Sequence, residues 1–302
     1  MNSVTTLTGI IGFPLGHSLS PAIHNAAFRH LGIDWAYVPL LVTVSSLEPL
    51  FEVIRYSNFA GLNVTMPYKT AVVPYLDDVT EFASLAGAVN TIQVAQEELI
   101  GHNTDGGALV SALKDTGDEP LEKHCALIGA GGAARAVAAA LCRAGLARLS
   151  IINRTPEAAN VLRDVLRTRF HDLRVDCYSL EGDLREPVST ADIIVNATPL
   201  GMEPQPELLP IDPGLLEKHQ IIADLIYRPP QTALLAAAQE RGARTLSGVE
   251  IFLRQALESF EIWTGLRAPD GVMRAVLERE LGLDEEGRQR GASYAAPGSA
   301  DR

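Results

Sequence analysis

The feature that most constrains the fold is a glycine-rich turn, ALIGAGGAARAV at residues 126–137, between an apolar and an alanine-rich segment. Gly129, Gly131 and Ala134 fit the pattern G-x-G-x-x-A. In this pattern the first glycine allows a tight turn, the second lets the backbone approach a pyrophosphate, and the small third residue lets a helix pack closely on a strand. The alternative is a strand-to-helix turn without a ligand. Because the segments on both sides also match the binding motif, we predict a dinucleotide site at the helix N-terminus.

Segments typical of strands and helices alternate on both sides of this turn. Ser20 is an N-cap candidate with Pro21 at the first helical position, and SSLE at residues 45–48 fits a capping box. The predicted strands are residues 6–12, 35–42, 59–65, 121–128, 148–153, 173–177, 192–196, 220–225 and 243–246, with a hairpin around Gln96. Further helices are predicted at residues 107–116, 133–143, 156–170, 248–264 and 270–281. Such alternation predicts parallel, doubly wound sheets.

We therefore predict an α/β protein of two α/β domains. Residues 1–105 form an N-terminal substrate domain that the C-terminal helices, at residues 248–283, complete. Residues 106–247 form a Rossmann-like parallel-sheet domain. Residues 284–302 mix Gly, Ser, Pro, Ala and charged residues without apolar periodicity, which predicts a disordered tail.

Composition excludes several classes of protein. The net charge of −12, from 25 basic and 37 acidic residues, argues against nucleic acid or an anionic membrane as the main partner. Cys125, Cys142 and Cys177 are too few and too scattered for a disulfide framework or a metal site, so we predict no metal. No run approaches the roughly 20 apolar residues that span a bilayer. The segment MNSVTTLTGIIGF has neither a basic region nor a long apolar core, so we do not expect it to act as a signal peptide. A cytoplasmic location is expected.

The segment IINRT indicates which dinucleotide is bound. An NAD site usually carries an acidic residue roughly 20 positions after the glycines, where it holds the ribose 2′-hydroxyl. Asn153, Arg154 and Thr155 occupy that place, without a carboxylate. Arg154 could pair with a 2′-phosphate, although a solvated arginine at a strand end is the alternative. We predict NADP(H) as the cofactor.

Polar residues gather at predicted strand and helix ends of both halves. Ser18 and Ser20 bracket a helix start, where two hydroxyls suit a carboxylate, although Ser20 as a simple N-cap is the alternative. Asn90 begins a hairpin strand, and HNTDG places Asp105 where the domains meet. The segment NATPLGM, at residues 196–202, lies at the carboxyl edge of the second sheet, where ligands bind in such folds, unless it is an ordinary loop.

A lysine directly after an apolar strand raises the question of a catalytic group. In GLNVTMPYKT, residues 61–70, Lys69 is either a solvated loop lysine or a side chain that projects into a cleft. Reduction of a ketone by a nicotinamide needs a proton donor near the forming alkoxide. Since neither a serine–tyrosine–lysine pattern nor a zinc cluster is present, Lys69 and Asp105 are the best pair. Asp105 could equally be a turn-forming residue.

The ordered set of motifs resembles the shikimate dehydrogenase family from about residue 9 to 282. The set comprises GFPLGHSLSPAIHNAAF, GLNVTMPYK, GAVNTI, HNTDG, GAGGAARAV, NRT, NATPLGM and FLRQALESFEIWTG. The resemblance implies NADPH-dependent reversible reduction of 3-dehydroshikimate to shikimate, a step toward chorismate and the aromatic amino acids. The small-molecule substrate would be the main partner, and a homodimer is reasonable for the family.

The resemblance also implies roles for individual residues. Lys69 and Asp105 match the catalytic pair, and the serines at positions 18 and 20 match those that hold the substrate carboxylate. The implied substrate-binding residues are Ser18, Ser20, Asn63, Thr65, Lys69, Asn90, Asp105, Tyr227 and Gln255. The implied cofactor-binding residues are Gly129, Ala130, Gly131, Gly132, Ala133, Asn153, Arg154, Thr155, Ala197, Thr198, Met202, Leu225 and Gly248.

Three departures from the family pattern concern the cofactor. Ala158 stands where the family often has Lys or Arg, Pro199 replaces the more usual Ser, and Ile251 stands where Met is common. NADP selectivity would therefore depend mainly on Arg154. Two alternatives stay open: a quinate or aminoshikimate-type dehydrogenase that uses NAD or both cofactors, and a non-catalytic dinucleotide sensor, against which the joint presence of Lys69 and Asp105 argues.

Overall fold

Two six-stranded sheets organise the chain in the computed structural model, which describes residues 2–16 and 18–283. The predicted disordered tail at residues 284–302 lies outside the described residues. Within the described ranges, no helix combines the length and the apolar character needed to cross a membrane.

The first sheet is mixed. Its strands are β1 (Thr6–Gly12), β2 (Trp35–Leu41), β3 (Phe59–Val64), β4 (Asp78–Val79), β5 (Thr91–Ala95) and β6 (Glu98–His102), and the helices among them are α1 (Ser20–Leu31), α2 (Leu47–Arg55) and α3 (Glu81–Ala86). The order is β2-β1-β3-β5-β6-β4, and β1 pairs in parallel with both of its neighbours. The predicted hairpin forms from β5 and β6. The carboxyl ends of β1 and β3 therefore meet at one edge of the sheet.

The second sheet is parallel throughout. Its strands are β7 (His124–Ile128), β8 (Arg148–Asn153), β9 (Arg174–Ser179), β10 (Ile193–Asn196), β11 (Ile221–Asp224) and β12 (Arg244–Leu246), and its helices are α4 (Asp105–Asp115), α5 (Gly132–Arg143), α6 (Pro156–Arg167), α7 (Arg185–Ser189) and α8 (Ala233–Glu240). The order β12-β11-β10-β7-β8-β9 is that of a doubly wound dinucleotide-binding sheet. The predicted fold class is confirmed, and the switch point lies between β7 and β10.

Of the two C-terminal helices, α9 (Gly248–Thr264) packs on the first sheet, and α10 (Asp270–Glu280) packs on α1 and α9. Phe260 and Trp263 of α9 join one apolar core with Phe28 of α1 and Met273 of α10. The Trp263 indole N–H donates to the Ile92 carbonyl of β5 at 2.9 Å. This packing agrees with the prediction that the C-terminal helices complete the N-terminal domain. The domain boundaries at residues 105 and 248 stay predictions.

Two predicted helix caps are wrong. Helix α1 begins at Ser20 itself, with Leu19 at the N-cap position and no side-chain cap. The residues Val44–Ser46 form a separate 3-10 turn, so α2 begins at Leu47 and the expected capping box does not form. The short elements β4, α3, α7 and α8 had no clear sequence signal. Because the Ser20 hydroxyl does not cap the helix, it is available to other partners.

Candidate active site

A cavity of about 850 Å3 lies where the carboxyl ends of the strands of both sheets face each other. Its lining includes the residues that follow β3, β7, β10 and β11. Every residue predicted to bind the substrate lines it: Ser18, Ser20, Asn63, Thr65, Lys69, Asn90, Asp105, Tyr227 and Gln255. The fold thus brings together side chains that lie up to 237 positions apart in the chain (255 − 18).

Lys69 is placed by its neighbours rather than left in solvent. Tyr68 is buried, and its hydroxyl donates to the Val42 carbonyl at 2.8 Å. The Lys69 carbonyl accepts from the Val89 N–H at 2.7 Å. With its backbone held in this way, Lys69 extends its ammonium to within 2.6 Å of the Asp105 carboxylate, and the two side chains are only 16% and 14% exposed. The solvated-loop alternative for Lys69 is therefore excluded.

Asp105 is the first residue of α4, and its carboxylate is free to face the cavity. The turn before α4 uses Asn103 instead, whose side-chain oxygen accepts from the Asp105 N–H at 3.1 Å. The second Asp105 oxygen accepts from the Asn90 amide at 3.0 Å. The Asn90 side chain is itself held by the Thr104 N–H, which donates to it at 2.8 Å. Lys69, Asp105 and Asn90 therefore form one preorganised polar cluster.

A buried tyrosine that the sequence did not single out supports this cluster. The Tyr37 hydroxyl donates to the Asn63 side-chain oxygen at 2.7 Å. Burial raises the pKa of Tyr37 well above its ordinary value, so the hydroxyl stays a donor. The His24 ring stacks on Tyr37 with ring centroids 4.7 Å apart. Tyr37 lies on a half-buried strand, where a core residue is the ordinary interpretation, and no sequence signal marked it.

The nucleotide loop has the geometry of an anion site. Gly129 has φ +114°, a left-handed conformation that favours glycine, and it lies against the Ala197 carbonyl. Helix α5 starts at Gly132 without a side-chain cap, so its first N–H groups are available to a ligand. The predicted cofactor residues that line the cavity are Gly129, Ala130, Gly131, Gly132, Ala133, Asn153, Ala197, Thr198, Met202 and Leu225. Among them, the backbone of residues 129–133 fits the pyrophosphate of a dinucleotide.

Three predicted cofactor residues do not line the cavity. Arg154 and Thr155 are exposed just beyond β8, where the Asn153 amide donates to the Thr155 carbonyl at 2.8 Å. Gly248 packs under the Ile226 carbonyl, too close for any side chain, so helix packing alone explains the glycine. Their roles in cofactor binding stay predictions.

Several lining residues were not predicted, and the charged ones among them are Arg135, Glu203 and Arg228. Arg135 lies in the first turn of α5, four residues after Gly131, a spacing that places it at the same helix end. Arg135 and Arg228 form no ion pair with any described residue. They add positive charge to a cavity in a protein that is acidic overall.

The loops that follow β10 and β11 are tied together by the buried carboxylate of Asp224. It accepts from the Asn196 amide at 3.1 Å, from the Ile226 N–H at 3.0 Å and from the Thr232 hydroxyl at 2.8 Å. Asn196 in turn donates to the Leu200 carbonyl at 3.2 Å. Burial raises the pKa of Asp224 from 3.8 to about 6, although these three donors oppose the shift. Asp224 therefore holds the segments that carry Thr198 and Tyr227.

Replacing Asp224 with asparagine is expected to flatten the pH dependence of stability. The folded-state pKa is raised, so the contribution to stability is fully present below 3.8 and is lost as pH rises through about 6. Between pH 4.5 and 7.5 the unfolding free energy of the wild type should fall by about 2 kcal/mol relative to Asp224→Asn. Urea unfolding of both proteins at the two pH values measures this difference, and identical pH dependence would show that Asp224 does not titrate as described.

No group of three or more His, Cys, Asp or Glu side chains suited to a metal ion occurs in the part of the chain that the structure describes. The fold and the site instead define a two-domain dinucleotide-binding protein whose nucleotide loop faces a lysine–aspartate pair. Three family models match the chain: the shikimate dehydrogenase substrate binding domain at residues 10–92, shikimate / quinate 5-dehydrogenase at residues 112–201, and the shikimate 5'-dehydrogenase C-terminal domain at residues 248–278. The chain belongs to the shikimate dehydrogenase family.

Curated relatives match over most of their length. The NADP(+)-dependent shikimate dehydrogenase of Desulforamulus reducens is 42% identical, covering 93% of this chain and 97% of the relative. That of Rubrobacter xylanophilus is 44% identical, covering 91% and 96%.

Solved structures agree with these matches. A shikimate dehydrogenase in complex with NADP+ has a TM-score of 0.87 at 35% identity, covering 93% of this chain and 97% of that chain. Shikimate 5-dehydrogenase from Listeria monocytogenes, with shikimate and NAD, has a TM-score of 0.84 at 34% identity, covering 92% and 98%. Quinate dehydrogenase from Corynebacterium glutamicum, with NAD, has a TM-score of 0.83 at 33% identity, covering 91% and 99%.

Proposed function

We propose that this protein catalyses the NADP-dependent reversible reduction of 3-dehydroshikimate to shikimate. The observation that carries the proposal is the 2.6 Å contact between Lys69 and Asp105 in the cavity that the glycine loop also lines. Family membership supports the substrate, since the curated relatives are named for this activity. A non-catalytic dinucleotide sensor would have no use for a preorganised lysine–aspartate pair at this position.

The side chains of the cavity divide into binding and proton-transfer roles. Ser18 and Ser20 offer hydroxyls to the substrate carboxylate, while Asn90 and the Asp105 carboxylate offer partners to the ring hydroxyls. NADPH, when bound, supplies the hydride to the ketone carbon. Lys69 donates a proton to the developing alkoxide oxygen, and Asp105 orients the ammonium for that transfer.

Arg154 supports the choice of NADP over NAD. It is exposed at the end of β8, and it forms no ion pair with any described residue, so its guanidinium is free to take a 2′-phosphate. Ala158 supplies no second cation, and Glu157 places a negative charge in the first turn of α6. Selectivity for NADP should therefore depend on one arginine, Arg154.

A cytoplasmic location and a homodimer stay predictions. Size-exclusion chromatography with light scattering would test whether the protein is a homodimer.

A quinate dehydrogenase that uses NAD is the second candidate, favoured by the similarity to the Corynebacterium glutamicum enzyme and by Ala158. Steady-state oxidation of shikimate and of quinate, each with NADP and with NAD, separates the two. We expect kcat/KM to be highest for shikimate with NADP. If quinate with NAD gives the highest kcat/KM, the protein is a quinate dehydrogenase.

A further inference from the structure

The nucleotide loop contains three glycines, Gly129, Gly131 and Gly132, and the structure gives a different reason for the missing side chain at each position. Gly129 needs its left-handed φ of +114°. A methyl group on Gly131 would meet nothing within 4 Å apart from its neighbours in the chain, and Gly131 lines the cavity, so its bare side leaves room for a ligand. A methyl group on Gly132 would lie 2.7 Å from Cβ of Lys69 and 3.4 Å from Cδ of the same residue. The third glycine therefore makes room for the Lys69 side chain, which follows a strand of the other sheet.

Lys69 has little freedom to move away from Gly132. The nearest atom is its Cβ, which follows the backbone, and the Lys69 carbonyl is bonded to the Val89 N–H at 2.7 Å. At the far end, its ammonium is bonded to Asp105 at 2.6 Å. The lysine stem is thus fixed at both ends and lies along the bare backbone at the start of α5.

Glycine at position 132 is also less favourable than alanine for forming the start of helix α5. Gly132 is the first residue of α5 and has no left-handed φ, so alanine fits its backbone and favours the helix. A position where local helix preference is given up is commonly a functional one. The contact with Lys69 supplies the reason.

We propose that Gly132 is a positioning residue for Lys69: its missing side chain lets the nucleotide loop close on the lysine stem, which sets the separation between the ammonium and a dinucleotide held by that loop. The inference rests on the proposed function, because it assigns the role through proton transfer by Lys69. Two further consequences distinguish it from phosphate binding. Loss of the glycine should affect turnover more than cofactor affinity, and the effect should require Lys69.

The first test is Gly132→Ala. We expect kcat to fall about tenfold, because displacement of a reacting group by a fraction of an ångström to 1 Å is costly. The dissociation constant for NADPH, from fluorescence titration, should stay within about threefold. Gly271→Ala is the matched control, since Gly271 lies in the first turn of α10 with nothing near it. It should retain wild-type rates.

The second test is a double-mutant cycle with Lys69→Gly, which removes both the ammonium and the Cβ that a methyl group at position 132 would meet, followed at enzyme concentrations high enough to measure the residual rate. If Gly132 acts through Lys69, adding Gly132→Ala to Lys69→Gly causes no further loss. Additive losses, an unchanged kcat in Gly132→Ala, or a rise in the NADPH dissociation constant that accounts for the whole loss would each overturn the inference. Wild-type turnover tests the proposed function separately, and the variants are compared with whichever substrate the wild type prefers.

Discussion

Lys69→Ala is expected to lower kcat for shikimate oxidation by about 10³-fold while NADPH still binds. The variant removes the only ammonium within hydrogen-bond reach of the Asp105 carboxylate among the described residues. It leaves the nucleotide loop, with Gly129 and Gly131, unchanged. Stopped-flow measurement of hydride transfer and fluorescence titration of NADPH give the two quantities separately.

Two comparisons make the Lys69 result specific. Lys218→Ala, at an exposed lysine that does not line the cavity, should keep wild-type rates. Asp105→Asn keeps the shape of the side chain but weakens the hold on the ammonium, so it should also lower kcat, and the double variant should lose less than the product of the single losses. Near-normal turnover in Lys69→Ala would remove the proposed proton donor.

Arg154→Ala is expected to weaken NADP binding by about 10- to 100-fold and NAD binding by no more than about twofold. The guanidinium has no partner among the described residues, so its removal disrupts no internal contact. A charge-assisted bond to a phosphate is available only with NADP, which carries the 2′-phosphate. Titration of both cofactors against wild type and variant gives the ratio directly.

Arg169→Ala is a suitable control for Arg154. Arg169 is exposed just beyond the other end of α6, and it does not line the cavity, so both affinities should be unchanged. Equal losses for NADP and NAD in Arg154→Ala would place the arginine at a part of the dinucleotide that both cofactors share. If only the affinity for NADP falls, Arg154 alone would account for recognition of the 2′-phosphate, although Ala158 stands where the family often has a cation.

The sequence by itself determined the features whose signals are local. The glycine turn before α5, the parallel strands of the second sheet and the long helix α9 all follow from short-range patterns of glycine, apolar residues and helix formers. The ordered motifs were also sufficient to identify the family, because each motif is contiguous. The helix N-caps were a local feature that the sequence predicted wrongly. Helix α1 begins at Ser20, so the Ser20 hydroxyl lies one position too late in the chain to act as its N-cap.

Only the tertiary structure decided how distant residues meet. Lys69 follows one strand and Asp105 opens a helix 36 positions later, and their 2.6 Å contact depends on Tyr68, Val89 and Asn103 holding two loops in place. The support of Asn63 by Tyr37, and the fit of the Lys69 stem against Gly132, likewise join separate elements. Such contacts leave no periodic or spacing signal, because side-chain packing between elements depends on the whole fold rather than on neighbours in the chain.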